Sequence, residues 1–260
     1  MKSNRSIGII VLLLLVSNAL FGQHVRFVNS GTIEFEKRVN MYAKLAKRFS
    51  KSNSNFMEQA LDQYKKTQPQ FKVVKTSLAF SKDASLYKPV DEGSGSSGGF
   101  FGDDPTVDMK KIIFTDFAND RSISEKNIYE ETFLVEDSVR NIHWKITSET
   151  REIAGYDCRR ANALVMDSIY VVAFYTDQIP VSGGPESFTG LPGMILGLAL
   201  PHDNTTWFAT KVNDVPVQQA ALTPPKKGKK VNNEGLLSAL KSGMKNWGDY
   251  AQEIFKAMML

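Results

Sequence analysis

Apolar and polar residues alternate along much of this chain, and the period is two. From Gly31 onward, Ile33, Phe35, Lys37, Val39 and Met41 fall on one side of an extended segment, and Glu34, Glu36, Arg38 and Asn40 on the other. That pattern predicts a strand with one face turned inward. Val74, Thr76, Leu78 and Phe80 repeat it within residues 71–81. Further segments of strand composition lie at 112–115, 132–135, 142–147, 158–165, 169–175 and 207–212. Turn material such as Asn119-Asp120, Glu136-Asp137 and Ala154-Gly155 separates them. Short strands at this spacing predict an antiparallel meander rather than alternating strands and helices.

Two stretches switch to helical spacing. Asn55-Phe56-Met57-Glu58 has the form of a capping box, and Phe56, Met57, Ala60, Leu61 and Tyr64 make an apolar stripe that Pro69 ends. Near the other end, Leu236, Leu240, Met244, Trp247, Ala251, Ile254 and Met258 form a seam at three- and four-residue steps, interrupted by Gly243 and Gly248. Packing on the chain's own sheet is the expected use of that seam; a partner or an anionic membrane surface are the alternatives.

The apolar run at residues 194–200 differs from both. Its two faces are equally apolar, predicting a strand covered on both sides, and Gly197 within it predicts a bulge or a close approach. Prolines 180, 185, 192 and 201 and glycines 183, 184, 190 and 193 surround it. Such residues make stiff loops, and Leu191-Pro192-Gly193 fits a type II turn with proline second and glycine third.

GLPGMIL at residues 190–196, preceded by IPVSGGPESF and by IAGYDCRRA upstream, resembles the GLPGLI family of secreted Bacteroidota proteins, with Met194 in place of the usual leucine. The swap conserves volume. The resemblance runs from about residue 31 to residue 230 and implies an exported, mostly β protein with no established activity. A looser resemblance is to the bowl-shaped, non-catalytic N-terminal domain of certain secreted glycan-cleaving amidases. The expected fold is therefore mainly β (α+β): a strongly curved antiparallel sheet, half-barrel or bowl, with a short helix in the N-terminal half and an amphipathic C-terminal helix.

Residues 1–22 have the anatomy of a secretory signal peptide, with Lys2 and Arg5 ahead of a ten-residue apolar stretch and Gly22 before the expected cut. Ten residues fall short of the roughly 20 that span a membrane. The expected boundaries are then 23–225 for the curved β domain, with a flexible Gly/Ser region at 84–110, and 226–260 for a basic hinge and helix. Loss of Lys2 and Arg5 lowers the formal charge from +4 to +2, which argues against nucleic acid as a partner. From Lys226 onward seven lysines face three acids, a local surplus of +4. The single cysteine, Cys158, has no internal disulfide partner and reads as a small buried residue.

Candidate chemistry is sparse. His24, His143 and His202 form no metal-ligand pair, His202-Asp203 being a bare dipeptide, so neither a metal nor a cofactor is expected. No GxxxxGK[ST] phosphate loop occurs in the Gly/Ser-rich stretch. Asp177 and Glu186 flank the IPVSGGP loop, with Arg159 and Arg160 on a nearby strand. Carboxylates split by burial can run general acid–base work; equally, Asp177 can cap a turn, Glu186 can be solvated and the arginines can form surface ion pairs. Phe174, Tyr175, Phe188, Trp207, Phe208, Trp144 and Tyr156 either fill the core or line a ligand pocket on the concave face.

These features favour a non-enzymatic binding or envelope-assembly protein that receives a peptide, lipid or protein partner in the periplasm, at the outer membrane or outside the cell. A hydrolase of peptide or glycan using Asp177 and Glu186 is the alternative, and a structural accessory domain a third. The candidate ligand-facing residues are Asp177, Pro180, Ser182, Gly183, Pro185, Glu186, Phe188, Gly190, Leu191, Pro192 and Gly193, with Arg159 beside them. N-terminal sequencing of protein isolated from its own cell envelope is expected to begin at Gln23; a chain that retains residues 1–22 contradicts the export reading.

Overall fold

The computed structural model describes residues 27–50, 55–90 and 104–260. The expected signal peptide and most of the Gly/Ser-rich stretch lie outside the described residues. The strands form one twelve-stranded sheet of order β12-β6-β5-β4-β3-β2-β1-β11-β10-β9-β8-β7. In chain order these are β1 (Gly31–Asn40), β2 (Phe71–Phe80), β3 (Ala84–Pro89), β4 (Lys111–Asp116), β5 (Arg121–Ile128) and β6 (Glu131–Ser138). There follow β7 (Lys145–Ile153), β8 (Tyr156–Val165), β9 (Ile169–Thr176), β10 (Met194–Leu200), β11 (Thr205–Asn213) and β12 (Lys229–Val231).

The order resolves into two meanders that meet at β1, which pairs antiparallel with β2 on one side and with β11 on the other. Between β6 and β7 the chain passes from one end of this array to the other through residues 139–144. Ten inter-strand steps would put β6 and β7 about 48 Å apart in a flat sheet. Seven peptide steps reach about 25 Å at most. The sheet must therefore curl, as the expected bowl requires, and it stays open because β7 does not pair with β12. Ile142 and Trp144 on the crossing segment pack into the main core, and Trp144 Nε1 donates to Thr189 O at 2.8 Å.

Residues 194–200 form β10, buried on both faces as expected. Gly197 meets both expectations. The register shifts between Ile195 and Gly197, and a Cβ at Gly197 would lie 2.8 Å from Ile153 Cδ1 and from Phe208 Cε1. The turn before it is tighter than predicted. Gly193 N donates to Leu191 O at 2.8 Å, a three-residue turn centred on Pro192 rather than a four-residue type II turn.

Several elements differ from expectation. Met41 ends the β1 pattern by starting helix α1 (Met41–Phe49), because Asn40 Oδ1 accepts from Ala43 N at 3.1 Å and caps it. Met41, Leu45 and Phe49, four residues apart, are its buried stripe. Helix α2 (Asn55–Thr67) follows where expected, although Phe56 is exposed and Tyr64 carries its burial. Part of the region expected to be flexible is ordered, since 84–89 is β3 and Pro105–Asp108 is a helical turn, α3. Strand β7 begins later than expected, at Lys145, leaving His143 exposed on the crossing segment. The basic hinge contributes β12, which pairs parallel with β6 and is the sheet's parallel exception.

The C-terminal seam splits into α4 (Asn233–Gly243) and α5 (Gly248–Met259). Leu236, Leu240, Met244, Ala251, Ile254 and Met258 are buried against Ile128, Phe133 and Val135 of β5 and β6, so the helices pack on the chain's own sheet. Trp247 does not follow the seam; it lies in the break between the helices, 43% exposed, stacked on Tyr250.

Gly193→Ala would place a Cβ 2.1 Å from Thr176 O, a backbone atom. It is expected to lower stability by about 2–4 kcal/mol. Gly243→Ala, with nothing within 4 Å, is expected to be neutral or stabilising by up to about 1 kcal/mol. Urea unfolding of the two variants checks both.

Candidate functional site

Two residues on the loop between β9 and β10, Glu186 and Phe188, reach inward. That loop is held by its own backbone: Val181 N donates to Ile179 O and Gly183 N to Val181 O, both at 2.8 Å, and Ile195 N closes on Gly183 O at 2.9 Å. Ser182 Oγ accepts from Gly190 N at 3.0 Å. Thus strapped, the loop delivers Glu186 in the left-handed region at φ 54°, a conformation a non-glycine residue holds only when its surroundings impose it.

Glu186 is not solvated. Its Oε2 lies 2.6 Å from Lys111 Nζ and its Oε1 3.7 Å from Lys37 Nζ, and all three residues are buried. Lys37 sits at an inward position of β1, and its amine lies 5.3 Å from the Trp207 ring centroid and 3.4 Å from Val107 O. Lys111 and Lys126 are register partners on β4 and β5, so two buried lysines stand directly opposite each other. Like charges so placed repel. Lys126 turns its amine to Met258 O at 2.5 Å.

Burial pushes the Glu186 carboxyl up, but Lys111, Lys37 and Lys126 outweigh it and hold it at about 2. Burial lowers Lys37, and Lys111 adds to the effect against the pull of Glu186. Lys126 falls to about 7, through burial and then the charge of Lys111. Burial and the nearby Glu186 charge push the Tyr87 phenol well above 10.

Above this cluster lies a cavity of about 320 Å³. Lys37, Lys111 and Glu186 form its charged floor, Phe188, Leu200 and Trp207 its apolar wall, and α1 and α5 its far side. The rim is cross-linked. Lys256 pairs with Asp203 at 2.5 Å, Lys47 Nζ donates to His202 O at 2.8 Å, and Arg48 pairs with both Glu253, at 2.6 Å, and Asp104, at 2.9 Å. His202-Asp203 thus ties α1 and α5 to the end of β10. The last residues of α5 are fastened from below by three donors. Besides Lys126, Arg140 donates to Met259 O and Ser187 Oγ to Leu260 O.

Of the residues expected to face a ligand, Glu186 and Phe188 line the cavity. Gly183, Pro185, Leu191 and Gly193 are buried in the loop's own packing, and Pro180, Gly190 and Pro192 are exposed. Asp177 is exposed at the end of β9, whereas Glu186 is buried among lysines. Arg159 is exposed opposite Tyr175, and Arg160 makes the anticipated surface pair with Glu149 at 2.5 Å. Cys158 is buried, and burial pushes its thiol up to about 12. The aromatics divide: Phe174 and Tyr175 fill the core, while Phe188 and Trp207 also face the cavity. The lysines escaped the sequence reading. Lys37 stood in plain view on the inward side of an alternating strand, but Lys126 lies on β5, whose inward side carries Ser124 beside it.

Residues 164–197 match the family model described as "Protein of unknown function (Porph_ging)", which bears out the resemblance carried by GLPGMIL. The match covers β9, the whole loop that carries Glu186 and the first four residues of β10. Among solved structures the chain is similar to PNGF-II, in two crystal forms. In the P21 form, 16% identity covers 78% of this chain and 32% of that one, with a TM-score of 0.48. In the C2 form, 15% identity covers 88% of this chain and 33% of that one, with a TM-score of 0.51. The second likeness shows a shared fold, and this chain spans about a third of the PNGF-II chain. No curated protein matches the sequence.

Two measurements address the cluster. Glu186→Gln leaves Lys37 and Lys111 without their anion and is expected to cost about 3–5 kcal/mol in urea unfolding. The Glu186 pKa is depressed from 4.5 to about 2, so its contribution is present above pH 4.5 and lost as pH falls from 4.5 towards 2. Lys126 acts in the same direction at higher pH, here because burial disfavours its charged form. Between about 7 and 10.5 the unfolded chain holds a proton that the folded chain has released, so this group makes stability rise with pH. Cys158 opposes it above 9. Stability is therefore expected to rise from pH 7 to 9, less steeply in Lys126→Met.

Proposed function

We propose that this chain is an exported, non-enzymatic binding or envelope-accessory protein that holds a ligand in the cavity between the concave sheet and α5. One observation carries the reading: the cavity pairs an apolar aromatic wall, Phe188, Leu200 and Trp207, with a few converging polar groups, Lys37, Lys111 and Glu186. That is the usual anatomy of a small-ligand site, and about 320 Å³ is at the small end of the usual range of about 300–1,000 Å³.

Export rests on the signal-peptide pattern of residues 1–22 and on the family resemblance. Glu186 supports binding rather than proton transfer. A carboxylate held at about 2 between ammonium groups is a poor general base near neutrality, since a useful catalytic pKa lies near the working pH.

Native mass spectrometry of the full chain, isolated gently from its own envelope, is expected to show a retained small molecule that is lost in Trp207→Ala. Protein that is uniformly of apo mass overturns the reading.

A further inference from the structure

The floor of the cavity holds more positive charge than its own acids match. Lys37 and Lys111 on the floor, and Lys126 behind them, are each at most 7% exposed, and the acid among them is Glu186. The other buried acid among the described residues, Asp104, is occupied by Arg48 and Thr106. Lys126 is satisfied by Met258 O and does not line the cavity. Lys111 takes the short bond to Glu186. Lys37 is left with a 3.7 Å approach to Glu186, a long bond to Val107 O at 3.4 Å and the face of Trp207. An ammonium has three donors, and removing one from water is costly unless they are used.

At the rim Lys47, Lys256 and Arg48 are each engaged by a carbonyl or carboxylate, and Lys44, less deeply buried than Lys37, approaches Glu253 at 4.0 Å. The most deeply buried of the loosely matched cations is therefore Lys37, at the bottom beside the apolar wall.

We propose that the cavity is an anion site for an amphiphilic organic acid, whose carboxylate or phosphate group lies between Lys37 and Lys111 and whose apolar part lies along Phe188, Leu200 and Trp207. This rests on the binding reading above and names its ligand class. The anion supplies Lys37 with a closer acceptor than Val107 O at 3.4 Å or Glu186 at 3.7 Å, and its apolar part displaces water from Trp207 and Leu200. Binding is only weakly screened by salt, because the charges meet away from bulk solvent. In the empty protein Lys37 is a liability, so Lys37→Met preserves length and packing while removing the charge that the fold tolerates and the ligand needs.

Calorimetric titration of the full chain with octanoate, 1-octanol and inorganic phosphate tests this, with circular dichroism to verify folding of each variant. Octanoate is expected to bind at one site, more tightly than 1-octanol. Its affinity is expected to fall at least tenfold in Lys37→Met, while the empty variant melts at or above the wild-type temperature; Lys229→Met, exposed on β12, leaves both unchanged. Lys111→Met is the second variant, expected to weaken octanoate in the same way with Glu186 still facing Lys37. Equal binding of octanoate and 1-octanol, undiminished in both variants, overturns the anion site while leaving a ligand-binding cavity in place. Phosphate binding without octanoate binding overturns the amphiphile and assigns the floor to a free inorganic anion. Binding of none of the three overturns the proposal, and native mass spectrometry then decides separately whether any ligand is held.

Discussion

Glu186 meets Lys111 at 2.6 Å and Lys37 at 3.7 Å at the buried floor of the cavity, and through them joins three parts of the chain that are far apart in sequence. Lys37 belongs to β1, the strand where the two meanders meet; Lys111 belongs to β4; Glu186 hangs from the loop before β10. A buried charge must be answered by another charge or by hydrogen bonds, so the loop cannot lift without exposing the lysines to an unpaired interior. The left-handed backbone at Glu186 is held in place by the same demand. Ser187, the next residue, fastens the end of α5, so one short segment serves both the floor of the cavity and its cover.

The curvature of the sheet makes that meeting possible. Residues 139–144 are too few to cross a flat array of this width, so the two ends approach and the inward faces of β1, β4, β5 and β11 look into one space. Helix α5 then covers the opening, its apolar stripe on β5 and β6 and its polar side meeting α1 through Arg48, Glu253 and Lys44. The seam binds the helix to the sheet over its length, but near the cavity the contacts are ionic and leave about 320 Å³ unfilled.

The motif that dominates the sequence has a structural role. Gly193 is pressed against Thr176 O, Gly184 against Phe188 O, and Gly197 against Phe208 and Ile153. These glycines let backbone pass where no side chain fits, which fixes the loop firmly enough to aim Glu186 and Phe188 inward. Glu186 and Phe188, which line the cavity, precede GLPGMIL, a segment that carries no titratable side chain.

Much of the architecture was legible locally. Period-two alternation located β1, β2 and the later meander, two-sided apolarity identified β10 as an interior strand, and helical spacing found α2 and the C-terminal seam, because burial of a face repeats with the geometry of the element. Helix α1 carried its signal in Met41, Leu45 and Phe49 but was hidden by running straight on from a strand. The site was another matter. Lys37 already stood on the inward side of β1, yet alternation says only that a residue faces in, not what it will face. That Lys111 is opposite Lys126, that Glu186 comes down upon them, and that α5 leaves a gap above are matters of register and curvature. These arise from contacts between residues far apart in sequence, as in Lys37 with Glu186 or Arg48 with Glu253, and no local pattern encodes such a pairing.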